Sequence, residues 1–360
     1  MSTLLETARP ATIPESVNGR IPTLDGWRGV AILLVLIGHF MPRTYFSLVR
    51  TIGGHGVSVF FVLSGFLITS RLLDEQERNG QINLLRFYVR RIFRLMPCAW
   101  AYLLAVWTLG TVWASGLVKP GELEACLFFF RNYVAFGPSG PTVHFWSLSI
   151  EEQFYLIWPC VLVLAGARRS KWIAVAAILI LAGRRWLYWS YFASLPLQFT
   201  TRTPLHADAL LIGCLAAIMA PQLRQIRLPA APLLVAFAAC IYLFRSFIPL
   251  CESAIIAALL LSTSGQTNSI VSRFLESVPM TQIGRLSFSI YIWQELPAMY
   301  WDTRYWAIAL RLGIVATLTL ASYYGIERPM IAVGRRCEAM LGTIRFLPND
   351  PNGVEGGGAG

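Results

Sequence analysis

Long apolar stretches alternate with short polar ones along this chain, and the apolar stretches predict its elements. About ten of them approach the roughly 20 residues that a helix needs to cross the hydrocarbon core of a bilayer. They lie at 24–41, 52–69, 95–115, 146–166, 171–190, 205–221, 230–248, 251–265, 282–300 and 306–326. The pattern therefore predicts an all-α, polytopic membrane protein with about ten transmembrane helices.

One further apolar segment, LEACLFFFRNYVAF at 123–136, does not fit this scheme. If it crossed the membrane, Arg168, Arg169 and Lys171 would move to the outer side, against the tendency of basic residues to stay in cytoplasmic loops. We expect a re-entrant or interfacial helix whose backbone is covered by protein. An eleventh crossing is the alternative.

Composition and charge agree with a membrane protein. Hydrophobic residues make up 56% of the chain and charged residues 14%, whereas a soluble domain carries about 25% charged residues. The net charge of +11 comes mostly from arginines in short loops, which predicts that both termini are cytoplasmic and gives no reason to expect a nucleic acid partner. The cysteines lack any spacing that suits zinc, so we expect no metal site.

Three regions are expected along the chain. Residues 1–23 contain no apolar core of a signal peptide and predict a cytoplasmic N-terminal segment. Residues 24–329 form the membrane domain. Residues 330–360 predict a cytoplasmic C-terminal segment whose turn-rich tail after Leu347 is disordered.

Arg28 and His39 are ionisable residues within the first apolar stretch. Eleven residues at 100° each end about 20° past three full turns, so both side chains share one helix face, about 16 Å apart along the axis. Ionisable residues inside a membrane usually mark functional sites, and we take both as candidate catalytic residues. The alternatives are a helix-packing histidine and an arginine that reaches to the membrane surface.

A block of basic residues precedes the third apolar stretch in the sequence RFYVRRIFRLMP. Its residues Arg90, Arg91 and Arg94 are spaced three and four apart, which places them on one cationic helix face. Guanidinium groups bind phosphate oxygens in a bidentate manner, so we predict a polyphosphate site here. Ordinary cytoplasmic loop charge is the alternative.

Two adjacent carboxylates, Glu151 and Glu152, begin the fourth apolar stretch in HFWSLSIEEQFYLIWP. Adjacent helical residues differ by 100°, so both cannot face the same cavity. A carboxylate at a depth similar to that of His39 is able to orient its imidazole in a nucleophilic or general-base arrangement. A structural partner for an arginine within the membrane is the alternative.

Other polar residues are weaker candidates. Ser64 lies beside Gly65 without the context of a nucleophile elbow and is expected to pack between helices. His55 is expected in an outer loop or at a helix start. Asp208 is expected to line a cavity or to pair with an arginine.

Taken together, these motifs resemble acyltransferase family 3 of integral membrane O-acyltransferases. The resemblance rests on Arg28 and His39 with ten residues between them, on RRIFRLMP and on WSLSIEEQFYLIWP, with GVSVFFVLSGFLIT, GRLSFSIYIWQ and IERP in addition. It extends from Leu24 to about Pro329. Gln294 departs from the family, whose members commonly have histidine there. The lack of a following hydrolase-like domain implies the stand-alone type.

The resemblance implies transfer of an acyl group, usually acetyl, from cytoplasmic acyl-CoA to a hydroxyl of a glycan or glycoconjugate at the outer face of a bacterial inner membrane. The family pattern of a serine, a glutamate two residues on and a phenylalanine three further is matched by Ser149, Glu151 and Phe154. It favours Glu151 over Glu152 as the partner of His39.

The mechanism and the protein class both leave an alternative open. His39 either deprotonates the acceptor hydroxyl or carries the acyl group itself. In place of an enzyme, a proton-coupled transporter or flippase would use Arg, His and Glu as a proton relay.

Overall fold

The computed structural model describes residues 21–41, 49–112, 116–134, 140–192, 201–223, 229–243, 249–264, 269–298 and 304–343. All regular elements within these ranges are helical. The α-helices are α1 (Pro22–Phe40), α2 (Val49–Asn79), α3 (Leu84–Val112), α4 (Glu122–Leu127), α5 (Phe145–Phe192), α6 (Ala207–Leu223), α7 (Ala230–Leu243), α8 (Pro249–Ser264), α9 (Ile270–Leu275), α10 (Val278–Trp293), α11 (Glu295–Ala298), α12 (Tyr305–Ser322) and α13 (Arg328–Thr343). A π-helical turn, Tyr323–Glu327, joins α12 to α13.

The predicted all-α membrane architecture is confirmed, whereas the count of ten spans is not. By length and apolar composition, five stretches of the described chain are able to cross a membrane: Pro22–Phe40, Ile52–Asn79, Leu84–Val112, Phe145–Leu187 and Tyr305–Leu341. Shorter apolar helices lie at Ala207–Leu223, Ala230–Tyr242 and Pro249–Ser264. The chain is therefore a multi-pass helical membrane protein.

α5 contains two of the predicted spans within one element. Its helix is broken at Gly166, where φ is 72° and ψ is 163°. Only glycine adopts this backbone conformation readily, because it has no Cβ to clash with the neighbouring carbonyl. The predicted spans 146–166 and 171–190 lie on either side of this break.

The segment that was expected to be re-entrant or interfacial contains only a six-residue helix, α4, followed by a 3₁₀ turn at Arg131–Tyr133. A helix of this length is far shorter than the roughly 20 residues of a crossing. Buried Arg131 pairs with buried Glu122 at 3.4 Å, and Thr142 also hydrogen-bonds to Glu122. The described part of this segment is therefore folded against the protein, and residues 135 and 136 lie outside the described ranges.

Close backbone contacts hold the central helices together. A Cβ on Gly65 of α2 would lie 1.9 Å from the carbonyl oxygen of Leu210 in α6, and a Cβ on Gly284 of α10 would lie 1.7 Å from that of Asp25 in α1. Small residues at such positions let membrane helices approach closely. α1 packs directly between α2 and α10, and these helices position the site.

The expected terminal segments are described only in part. Residues 1–20 and 344–360, which include the predicted disordered tail, lie outside the described ranges. α1 begins at Pro22, since proline is tolerated in a first helical turn. At the other end, α13 packs along α3, where a Cβ on Gly334 would meet the side chain of Phe93.

Candidate active site

A cavity of about 110 Å³ lies between α1, α2, α3, α5 and α10. On α2 its lining runs from Arg71 to Val57, a distance of about 21 Å along the helix axis. α1 and α2 are antiparallel, because Gly53 lies beside Gly38 and Gly56 beside Ala31. The Arg71 end of the cavity therefore lies towards Arg28, and the Val57 end lies towards His39.

Arginines dominate the charged part of the lining. Four of them face the cavity, together with the carboxylate of Glu151: Arg28, Arg71, Arg91 and Arg94. The Arg28 Nε donates to the Ser287 Oγ at 3.3 Å, so this side chain points inward, towards α10. A cluster of guanidinium groups that outnumbers the carboxylates suits an anionic ligand that offers several oxygens.

Two of the three arginines of the RRIFRLMP block lie at this cavity, but Arg90 does not. Its Nη2 lies 3.2 Å from the Glu75 Oε2, and its Nη1 pairs with the Glu338 Oε1. On a helix, Arg90 and Arg91 point 100° apart with Arg94 between them. Because α13 packs on the Arg90 flank, carboxylates of the protein bind this arginine, and Arg90 does not contribute to the lining of this cavity.

The two adjacent glutamates diverge as predicted. The Glu151 Oε1 accepts a hydrogen bond of 2.8 Å from the Ser64 Oγ, and both residues line the cavity. Glu152 faces α3, where its Oε1 lies 3.2 Å from the Arg91 Nη2. The Arg91 guanidinium also stacks over the ring of Tyr155, 3.0 Å from its centroid, so that it is held from two sides.

His39 meets a different carboxylate from the expected one. Its Nε2 lies 3.3 Å from the Glu295 Oε2, and its Nδ1 lies 2.8 Å from the carbonyl oxygen of Val35. Glu151 instead binds Ser64. The prediction of Glu151 as the partner of His39 is therefore corrected to Glu295, because the C-terminal end of α10 and the start of α11 pack against the end of α1.

A polar cluster borders the cavity at Tyr291. Tyr291, at the cavity, bonds the Ser147 hydroxyl and donates to the carbonyl oxygen of His144 at 3.2 Å. The buried His144 ring lies edge-on to Tyr102 and Tyr291, with centroids 5.2 and 5.6 Å away. Within the described residues neither of its ring nitrogens has a hydrogen-bond partner. On α2, Gly53 lies beside the His39 ring. Because Gly53 is one helical turn beyond Val57, the His39 ring lies about one turn past the Val57 end of the cavity.

Sequence reasoning missed three members of this arrangement, Glu295, Tyr291 and His144. A signal for Glu295 was present, because it is a carboxylate in the apolar stretch 282–300 and such residues usually mark sites. Gln294, the residue that departs from the family pattern, is fully buried and donates through its Nε2 to the Glu295 Oε2 at 3.1 Å.

The weaker candidates have partners elsewhere. His55 lies within α2, not in a loop, and its Nδ1 is 2.9 Å from the Glu252 Oε1 of α8. Buried Asp208 lies 2.5 Å from the Arg185 Nη2, which confirms an arginine as its partner. Neither pair contributes to the lining of the cavity.

Comparison with known proteins gives relatives across most of the chain. It is 30% identical to YrhL of Bacillus subtilis (strain 168), provisionally named a peptidoglycan O-acetyltransferase, over 88% of this chain and 56% of YrhL. It is 30% identical to the peptidoglycan O-acetyltransferase OatA of Listeria monocytogenes, over 86% of this chain and 56% of that OatA. It is 25% identical to the O-acetyltransferase OatA of Staphylococcus aureus, over 89% of this chain and 59% of that OatA.

The chain thus spans less than two thirds of the length of these relatives. No solved structure matches it. A family model described as an acyltransferase domain matches residues 21–326, which include every residue of the cavity lining as well as His39 and Glu295. Since that match takes in most of the chain, the protein belongs to acyltransferase family 3.

Proposed function

We propose that this protein is a membrane O-acetyltransferase that moves an acetyl group from acetyl-CoA to a hydroxyl of a cell-envelope glycan, with peptidoglycan as the first candidate. The observation that carries the proposal is the cavity, which has four arginines in its lining and extends towards the His39–Glu295 pair. The names of the relatives support the acetyl group and the glycan acceptor. Acyl-CoA is a substrate in this proposal, and no metal takes part.

The donor would bind with its phosphates on Arg28, Arg71, Arg91 and Arg94, where guanidinium groups match phosphate oxygens. Its thioester arm would extend along α2 towards Val57. Most of the lining there is apolar, and its polar contacts are Ser64, Ser147, Glu151 and Tyr291. Glu151, oriented by Ser64, would accept hydrogen bonds from the amide groups of that arm.

The reaction would take place at His39, which acts as a base on the acceptor hydroxyl. Arg28 and His39 share one face of α1, about 16 Å apart along its axis, so that a single helix connects donor binding with chemistry. The arginine end would face the cytoplasm, where acyl-CoA is made, and the His39 end would face the glycan across a bacterial plasma membrane. Both termini would then be cytoplasmic, in agreement with the basic loops.

The direct test is release of free CoA from acetyl-CoA by the purified protein in lipid nanodiscs, with and without a peptidoglycan fragment. We expect release that depends on the fragment, together with an acetyl ester on the fragment detected by mass spectrometry. No release under any acceptor condition, combined with proton flux in proteoliposomes, would contradict the enzyme and favour a transporter.

A further inference from the structure

The two ring nitrogens of His39 have different partners, and this fixes where its protons lie. Nδ1 is 2.8 Å from the carbonyl oxygen of Val35. A carbonyl oxygen only accepts hydrogen bonds, so Nδ1 carries a proton. Nε2 is therefore the nitrogen that exchanges a proton, and it lies 3.3 Å from the Glu295 Oε2. A hydrogen bond between these two atoms requires one proton, on either of them.

This arrangement differs from the usual pair of a base and an orienting carboxylate. In such pairs the carboxylate binds the nitrogen opposite the reacting one and holds the tautomer. Here the main chain of α1 holds the tautomer through Val35, and the carboxylate lies at the reacting nitrogen. Glu295 is thus placed beside the position that the acceptor hydroxyl must occupy.

We propose that Glu295 is a catalytic residue that shares one proton with His39 and, with it, takes the proton of the acceptor hydroxyl. This inference rests on the proposed function. As the hydroxyl oxygen attacks the thioester carbonyl carbon, its proton passes to the pair, which then holds two protons. When the carbon–sulfur bond breaks, the departing thiolate takes one proton to become free CoA. The products are the acetyl ester and CoA, and the pair returns to one proton.

The surroundings favour this role for Glu295. Gln294 donates to the same Oε2 at 3.1 Å, so the carboxylate is oriented by a neutral amide that does not compete for protons. Tyr102 donates to the carbonyl oxygen of Pro141 at 2.5 Å, and Tyr291 donates to that of His144. Both phenols thus already donate to main-chain acceptors. Within the described residues Glu295 is the carboxylate that contacts His39.

The same geometry favours direct transfer over an acyl-histidine intermediate. Acylation of Nδ1 would break its hydrogen bond to Val35, and acylation of Nε2 would displace Glu295. Direct attack by the hydroxyl keeps both contacts. CoA release should therefore require the acceptor from the first turnover.

The experiment compares Glu295→Gln with Glu295→Asp in nanodiscs, with acetyl-CoA and a peptidoglycan fragment as substrates. The matched control is Glu252→Gln, which alters the His55–Glu252 pair away from the cavity. We expect Glu295→Gln to lower kcat at least 100-fold, as is usual for loss of general acid–base catalysis, while the KM for acetyl-CoA changes less than twofold. The kcat of Glu295→Asp should be at least tenfold higher than that of Glu295→Gln. The kcat of the Glu252→Gln control should stay within threefold of wild type.

If Glu295 had a purely structural role, Glu295→Gln would retain more activity than Glu295→Asp. Glutamine has the shape of glutamate and keeps its hydrogen bonds, so it would then be the better replacement. Activity of Glu295→Gln within fivefold of wild type, or aspartate no better than glutamine, overturns the catalytic role. One equivalent of CoA released by wild type without acceptor overturns direct transfer. Wild-type protein that releases no CoA under any condition refutes the proposed function itself and not the role of Glu295 alone.

If Glu295→Gln does not accumulate in the membrane, Glu295→Asp still decides the matter by its own kcat and KM. A shorter carboxylate that folds should retain the KM for acetyl-CoA and lose part of kcat. A rise in this KM with unchanged kcat would show that residue 295 acts in donor binding and would overturn the proposal.

Discussion

At the scale of single residues, the proposed chemistry depends on His39. The helix that carries it fixes one ring nitrogen through Val35, and a neighbouring helix brings Glu295 to the other. A second histidine–glutamate pair among the described residues, His55 and Glu252, has similar chemistry but lies away from the cavity. In the proposed function, location relative to the donor site, and not the presence of histidine and glutamate, would distinguish the reactive pair from the structural one.

We expect His39→Ala to abolish acetyl transfer while the protein still accumulates in the membrane, because alanine removes the base but still fits the helix. The loss should be at least 100-fold in kcat, measured as acceptor-dependent CoA release. His55→Ala is the control and should retain most activity per folded molecule. Transfer by His39→Ala within tenfold of wild type would contradict the assignment.

Arg94 provides a second test at this scale. Arg94→Ala should raise the KM for acetyl-CoA about 10-fold or more, because a hydrogen bond to a charged group contributes about 1.5–3 kcal/mol. The KM for the acceptor should stay unchanged. The effect falls on KM because the contact is made equally in the ground and transition states. Arg94→Lys should restore only part of the effect, since lysine lacks the bidentate fork.

Arg90→Ala is the matched control for Arg94, because Arg90 lies one helical turn away but binds Glu75 and Glu338. Its KM for acetyl-CoA should remain within twofold of wild type. An equal increase in KM for both variants would show that the charge of the whole block, and not the cavity, attracts the donor.

At the scale of helices, α2 organises the site. It supplies Ser64 and Arg71 to the cavity while its glycines let α1 and α6 approach its backbone. The interior of such a contact has no space for an added methyl group unless the helices separate. The positions of Ser64 and Glu151 therefore depend on residues that have no chemical role.

Gly65→Ala tests this dependence. The added Cβ would lie 1.9 Å from the Leu210 carbonyl oxygen, and we expect destabilisation of about 1–3 kcal/mol, seen as a lower thermal unfolding midpoint in detergent. Gly313→Ala in α12 is the control, because a Cβ there would meet no atom of a neighbouring described helix within 4 Å and alanine favours helix over glycine. Equal midpoints for both variants would show that α2 and α6 are not in close contact.

At the scale of the whole molecule, the two substrates are expected to reach the site from opposite ends. The arginines line the cavity on the side of Arg28, whereas His39 lies beyond its other end. In sealed vesicles with the arginine end outward, acetyl-CoA added outside should acetylate a peptidoglycan fragment enclosed within. The measurement is ester formed on the enclosed fragment before and after permeabilisation. Transfer only to fragments added on the same side as acetyl-CoA would contradict this arrangement.

The sequence by itself determined the helical membrane class (although not the number of spans), the common face of Arg28 and His39, and the divergence of Glu151 from Glu152. These properties are local, because the length of an apolar stretch and the 100° rotation per residue act within one helix. Only the tertiary structure decided that Glu295 meets His39, that Ser64 holds Glu151 and that Arg90 turns to α13. Each of these contacts joins different helices, and helical periodicity shows which face a residue occupies but not which helix packs against it.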